Sequence, residues 1–339
     1  MTATLPVQVA QARDAVRPVL QGVVGELEPR IARVAGYHFG WLDELGNSLP
    51  GDGGKALRPA LTLLSAQVVA EDSAPAIPAA VAVELVHNFS LLHDDVMDRD
   101  EQRRHRATAW TVFGVPAAIL AGDALLTLAV EVLRRESRAD VVDSVIECLN
   151  YTVQRLIAGQ IADVDFEHRT DVTLPECLRM AAAKTAALMR CSTSIGALAV
   201  GADTEVVHAL AEFGEHIGLA FQLIDDLLGI WGTPEVTGKP ALADLRSKKK
   251  SVPVVAALNS PTEYGQRLRA VYTVPDPLPE QDLPEIAELV ERAGGASWTQ
   301  AEADRHIQLA RKHLDSAGAP SSVHDALWST ALFVTGRNQ

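Results

Sequence analysis

Two aspartate clusters sit in apolar, helix-like surroundings far apart in the chain. The first is Leu91-Leu92-His93-Asp94-Asp95-Val96-Met97-Asp98, and the second is Phe221-Gln222-Leu223-Ile224-Asp225-Asp226-Leu227-Leu228. Neighbouring carboxylates repel one another, and apolar flanks make their charge costly. A chain that carries such a cluster twice is built to bind hard cations. Carboxylate oxygens suit Mg²⁺, with water and substrate phosphate completing its octahedron. Asp94 and Asp98 stand at i and i+4, so a helix stacks them on one face about 5–6 Å apart at Cβ. That separation fits carboxylates sharing metal ions, not a dyad sharing a proton.

A metal held this way implies an anionic, oxygen-rich substrate, and such a substrate needs cations of its own. Gly53-Gly54-Lys55-Ala56-Leu57-Arg58-Pro59 offers a glycine turn with Lys and Arg three apart. It is not a P-loop, because the spacing and the Lys-Ser/Thr pair are missing. Arg103-Arg104-His105-Arg106 follows the first acidic cluster closely. It reads as a diphosphate clamp, since guanidinium forks match phosphate oxygens. Lys184-Thr185 lies in an Ala-rich segment, where a buried ammonium needs an anionic partner. Lys239 and then Lys248-Lys249-Lys250 follow the second cluster, again base after acid.

The elements that position these groups are helical. Apolar residues recur at three- and four-residue intervals in Ala79–Asp98, Pro116–Arg135, Val141–Asp163, Pro175–Val200 and Val206–Leu228. Aromatic content is 5 %, and alternating β-branched runs are absent. The chain is therefore expected to be all-α. Thr173 is placed to cap a helix with Pro175 in its first turn. Breaks fall at 49–54, at 232–240 and at the proline-rich 259–284, which is expected to be a long surface loop before closing helices.

The 339 residues are 47 % hydrophobic, enough for a large core. Net charge is −14, with 30 Lys and Arg against 44 Asp and Glu, which argues against a nucleic-acid partner. Cys148, Cys177 and Cys191 form neither a CxxC motif nor a disulfide framework. The N-terminal stretch shows no signal peptide. The longest apolar stretches are interrupted by Glu84, His87, Asp123 and Glu131, so no transmembrane segment and a cytoplasmic location are expected.

In this order the motifs resemble those of the trans-isoprenyl diphosphate synthases, the polyprenyl synthetase family, from about Gly53 to Pro253. Gly53-Gly54-Lys55-x-x-Arg58-Pro59 resembles that family's first basic motif. Glu84 to Asp98 with Arg103-Arg104 resembles its first aspartate-rich motif, and Lys184-Thr185 its mid-chain pair. Gly218-x-x-Phe221-Gln222-x-x-Asp225-Asp226 resembles its second aspartate-rich motif. Gly238-Lys239 and Asp244 through Lys249 to Pro253 resemble its closing segment.

The resemblance implies one all-α domain over residues 1–339, an orthogonal helical bundle around a central apolar cavity, in a homodimer. It implies catalysis by Asp94, Asp95, Asp98, Lys184, Thr185, Gln222, Asp225 and Asp226. Asp94, Asp98 and Asp225 would bind Mg²⁺, three ions per site, with Mn²⁺ able to substitute. Lys55, Arg58, His87 and Arg104 would grip isopentenyl diphosphate. Arg103, Lys184, Thr185, Gln222, Lys239 and Lys249 would surround the allylic diphosphate. Three departures stand out: Gly229 where a third aspartate is usual, Ala56 where a second base is common, and Lys248 where glycine is frequent.

Product length depends on what blocks the growing tail. Phe89 lies a little over one helical turn before Asp94, and Ser90 beside it is small. One bulky ring at this depth resembles the members that make C20 geranylgeranyl diphosphate; C15 farnesyl diphosphate is the alternative. A class I terpene cyclase has no need of Lys55 and Arg58. A non-catalytic partner subunit would have lost an acidic cluster. A purely structural bundle would not keep basic pairs beside each cluster.

Overall fold

The structure, a computed structural model, describes residues 6–50, 56–233, 241–274 and 277–336. The periodic segments form helices. They are α1 (Val7–Gly25), α2 (Pro29–His38), α3 (Leu57–Ala66), α4 (Ile77–Met97), α5 (Ala109–Phe113), α6 (Val115–Glu136) and α7 (Val142–His168). Then come α8 (Leu174–Ala181), a π turn (Ala182–Ala186), α9 (Ala187–Ala199) and α10 (Thr204–Trp231). Beyond these lie α11 (Ala243–Arg246), α12 (Val252–Leu258), α13 (Glu263–Thr273), α14 (Leu283–Arg292), α15 (Gly295–Ser316) and α16 (Ser321–Val334).

Start signals work as the sequence suggests. Prolines occupy the first turns of α4, α6 and α8, where a missing N–H costs nothing. Thr173 and Glu176 close a capping box at α8, with the Thr173 N–H donating to Glu176 Oε2 at 2.9 Å.

Two elements differ from expectation. Residues 259–284 hold helix α13, capped by the Thr262 side chain, which accepts from the Gly265 N–H. The prolines flank this helix instead of interrupting it, so they mark its ends. The second difference is a two-stranded ribbon, β1 (Gln102–Arg103) and β2 (Arg106–Ala107), antiparallel, with Arg103 opposite Arg106. Its turn residues Arg104 and His105 both have positive φ, 52° and 60°. Paired positive-φ residues are the geometry of a tight hairpin turn, usually supplied by Asn-Gly. Without those residues the chain carries no hairpin signal.

The chain divides into two compact units. The first comprises Met1–Val153, Arg190–Gly214 and His313–Gln339. Its centre is α4, which packs on α6, α3 and α1. Ala79, Ala80, Val81, Ala82, Val83, Leu85 and Val86 are all buried, so the small residues let neighbouring helices come close. The second unit comprises Gln154–Met189 and Glu215–Lys312. Its cores gather Leu223, Val252 and Val255 in one cluster, and Ile230, Leu245, Val254 and Val290 in another.

Helices α4 and α6 are long and apolar enough to cross a membrane by composition alone. The apolar window of the α4 segment is 67 % buried, whereas that of α6 is 39 % buried. Helix α4 is thus accounted for as a core helix. Helix α6 keeps an apolar face uncovered, with Ile119 and Leu120 exposed.

Candidate active site

In the first unit, the last turn of α4 carries Asp94 and Asp95, with Asp98 capping it. Asp94 is half-buried and Asp98 exposed, while Asp95 is buried. Asp95 Oδ1 takes two contacts from Arg103, from Nε at 2.7 Å and Nη2 at 2.6 Å. Its Oδ2 is buried without a hydrogen-bond partner among the described residues. Burial pushes the Asp95 carboxyl upward and Arg103 opposes that shift. The ribbon therefore docks Arg103 onto the first acidic motif.

Beside it lies a basic cavity of 410 Å³. Arg103, Arg104 and Arg106 line it, together with Tyr37, His38 and Thr108. Arg106 is committed to structure: it donates to Tyr37 O at 3.2 Å and Leu42 O at 3.0 Å, and stacks over the Tyr37 ring. Arg104 has neither an ion pair nor a hydrogen bond among the described residues. Arg58 and His87 meet at 3.2 Å, both half-buried. Arg58 Nε has no hydrogen-bond partner among the described residues. Desolvation lowers the Arg58 pKa, with Glu84 as its opposing charge. Burial, then Arg58, hold His87 neutral. Arg104 is exposed and Arg58 half-buried, so their guanidinium donors are open to an incoming anion. Lys55 lies outside the described residues.

In the second unit, α10 presents Gln222, Asp225 and Asp226. Asp225 is exposed and Asp226 buried, the same division as in the first motif. Thr185 Oγ1 donates to Gln222 Oε1 at 2.5 Å, Gln222 Nε2 donates to Asp226 Oδ1 at 2.7 Å, and the Val252 N–H donates to Asp226 Oδ2 at 2.8 Å. Burial raises the Asp226 pKa to about 6 against the pull of Lys249. Burial also opposes the charge on Lys249, but Asp226, Asp244, Asp163 and Asp225 outweigh it and hold the ammonium protonated. Lys239 lies outside the described residues.

Lys184 and Thr185 fall within the π turn, a helix irregularity common at functional sites. Lys184 Nζ meets Asp163 Oδ2 at 2.5 Å. Asp163 is the partner its burial demanded, and it was not singled out from sequence. Gly159 is a contact point: a Cβ there would lie 2.4 Å from Lys184 N. Arg155 clamps the other side, bidentate to Glu215 with an added bond to Ala182 O.

Gly229 has a spatial explanation. A Cβ there would lie 2.6 Å from Asp244 Oδ2 and 2.7 Å from its Oδ1. The place a third motif side chain would start from is filled by a carboxylate from another segment. Lys248, where glycine is frequent in the resembling family, has φ 53°, the left-handed region that glycine enters without strain.

In each motif the donors are carboxylate oxygens, which suit Mg²⁺; Asp95 and Asp226 are buried and bonded into the fold, Asp94 is half-buried, and Asp98 and Asp225 are exposed. The profile of the polyprenyl synthetase family matches residues 39–290. The chain belongs to the polyprenyl synthetase family. It is 46 % identical over 337 residues to a (2E,6E)-farnesyl diphosphate synthase of Mycobacterium tuberculosis, covering 98 % of this chain and 93 % of that one. It is 44 % identical over 307 residues to a geranylgeranyl diphosphate synthase of the same organism, covering 91 % and 88 %. The crystal structure of a polyprenyl synthetase from Streptomyces coelicolor A3(2) matches with TM-score 0.92 and 46 % identity, over 98 % of this chain and 99 % of that one. As a polyprenyl synthetase the chain is an all-α, chain-elongating trans-prenyltransferase, and the expectations of fold and enzyme class hold.

Proposed function

We propose that this polyprenyl synthetase makes a short-chain product, C20 geranylgeranyl diphosphate, from isopentenyl diphosphate and allylic diphosphates, as one catalytic domain in the cytoplasm. The observation that supports substrate binding is the basic cavity lined by Arg103, Arg104 and Arg106, where Arg104 has neither a hydrogen bond nor an ion pair among the described residues. In this reading Arg58, His87 and Arg104, with Lys55, take the isopentenyl diphosphate. Lys184, Lys249, Arg103 and Lys239 take the allylic diphosphate. Asp94, Asp98 and Asp225 are the ligands of Mg²⁺.

When bound, Mg²⁺ supplies charge neutralisation as the allylic C–O bond breaks. The chain's own residues do the rest. Asp163 orients Lys184 toward its anion, and Asp226 aligns Gln222, which fixes Thr185. The remaining lone pair of Thr185 Oγ1 presents a negative dipole end to the allylic cation. Apolar walls keep water from capturing that cation. The alkene of isopentenyl diphosphate then attacks it, and the released pyrophosphate accepts the final proton.

Phe89 supports the C20 reading. It is buried, with His93 edge-on at 4.9 Å between ring centroids. The 46 % identity to a farnesyl diphosphate synthase favours C15 as the second reading. A product assay with isopentenyl diphosphate and each allylic primer separates them. Phe89→Ala is expected to lengthen the product, since each buried methylene is worth roughly 0.8 kcal/mol, and Ser90→Phe to shorten it. An unchanged distribution in both variants places the block elsewhere.

We also propose a homodimer formed through α6, supported by its uncovered Ile119 and Leu120. Glu131 and Asp123 on that helix speak for a protein partner in place of lipid.

A further inference from the structure

His38 ends α2 and lines the basic cavity. Its surroundings are fixed from two sides. Tyr37 OH donates to Ala107 O at 2.8 Å, and Arg106 ties back to Tyr37 O and Leu42 O. The segment bearing His38 is therefore bolted to the ribbon bearing Arg103 and Arg104. Yet the imidazole has no hydrogen-bond partner among the described residues. Burial, then Arg103, Arg104 and Arg106, keep it neutral, with its pKa down to about 3. A half-buried ring held rigidly on the cavity wall, beside an Arg104 without a hydrogen bond among the described residues, presents its N–H to whatever anion enters. Its N–H has phosphate oxygens as the natural complement, since an anion also satisfies Arg104. Placement at a helix C-terminus, where backbone carbonyls favour a donor, agrees.

We propose that His38 is a further substrate-binding residue of this enzyme, donating a ring N–H to the diphosphate of isopentenyl diphosphate beside Arg104. The proposal rests on the reading of the cavity as the isopentenyl diphosphate site. Two substitutions separate hydrogen bonding from packing. His38→Phe keeps a ring and loses the donor; His38→Gln loses the ring and keeps an N–H. His38→Phe is expected to raise the KM for isopentenyl diphosphate by about tenfold, the worth of one hydrogen bond to a charged group. The KM for the allylic primer and kcat should stay near the parent's, and His38→Gln should restore most of the lost affinity. A packing role would invert that order, with His38→Phe tolerated and His38→Gln impaired, and would overturn the proposal. Arg104→Ala is the control for the cavity. If it raises the same KM while His38→Phe does not, the cavity reading stands and the His38 role falls; if neither moves it, the cavity reading itself falls. Should the His38 variants not fold, ring ¹⁵N shifts of His38 in the parent decide. They should move on saturation with isopentenyl diphosphate, and unmoved signals overturn the proposal.

Discussion

Within each aspartate motif, neighbouring residues have opposite fates. Asp95 and Asp226 are buried and bonded into the fold, whereas Asp94 is half-buried and Asp98 and Asp225 are exposed. The latter three are the proposed metal ligands, so Asp94→Ala or Asp225→Ala should lower turnover by about two orders of magnitude or more while thermal unfolding changes little. Near-normal rates in a Mg²⁺-containing assay would remove the assignment. Gly229 tests the second motif differently. Restoring an aspartate there forces it onto the Asp244 carboxylate, 2.6 Å from a Cβ. Gly229→Asp should therefore cost about 2 kcal/mol in chemical denaturation, from overpacking with like charge. Adding Asp244→Gly should recover much of that loss. A stable single variant would mean that the space is not filled as described.

At the scale of elements, irregular backbone marks the site. The π turn carries Lys184 and Thr185, and the ribbon turn carries Arg104 at φ 52°. Ala56, at φ 49°, begins the helix that bears Arg58. Strain of this sort costs on the order of 1–3 kcal/mol and persists where surroundings enforce it. For the π turn the enforcing contacts are Gly159 and Arg155. Gly159→Ala should push α7 and the π turn apart and displace the Lys184 backbone. Allylic-primer turnover should fall by about 10²-fold, as expected for a misplacement near 1 Å, with the KM for isopentenyl diphosphate little changed. Equal damage to both substrates would show that the effect is general unfolding.

The whole molecule responds to pH and to association. His306 is 5 % exposed, with Nδ1 2.9 Å from His216 Nδ1, and its pKa is pushed down to about 4 by burial, His216 and Arg305, with Glu302 opposing. Because the unfolded imidazole protonates near 6.5, its contribution to stability is present above that pH and is lost as pH falls toward 4. Between pH 7 and pH 5 the loss should be on the order of 1–2 kcal/mol. His306→Gln should flatten that part of the profile; an identical pH slope in the variant would contradict the burial argument. The proposed homodimer is tested at Leu120, 56 % exposed on α6. Leu120→Glu should shift sedimentation from dimer to monomer, and an unchanged dimer would place the interface on another surface.

By itself the sequence determined the all-α class, the helices that carry the aspartates, and the enzyme family. Apolar periodicity, first-turn prolines and acid–base spacing are local properties of the chain. It also determined that Lys184 needs a buried counter-charge, because an unpaired ammonium in an Ala-rich helix is costly. Which residue meets that need was decided only by tertiary structure. Asp163, the Asp244 carboxylate over Gly229, and His38 beside Arg104 are brought to their partners by helix packing and by a ribbon whose turn lacks glycine. Their spacing in the chain carries no trace of that approach, since contacts between segments depend on how helices cross.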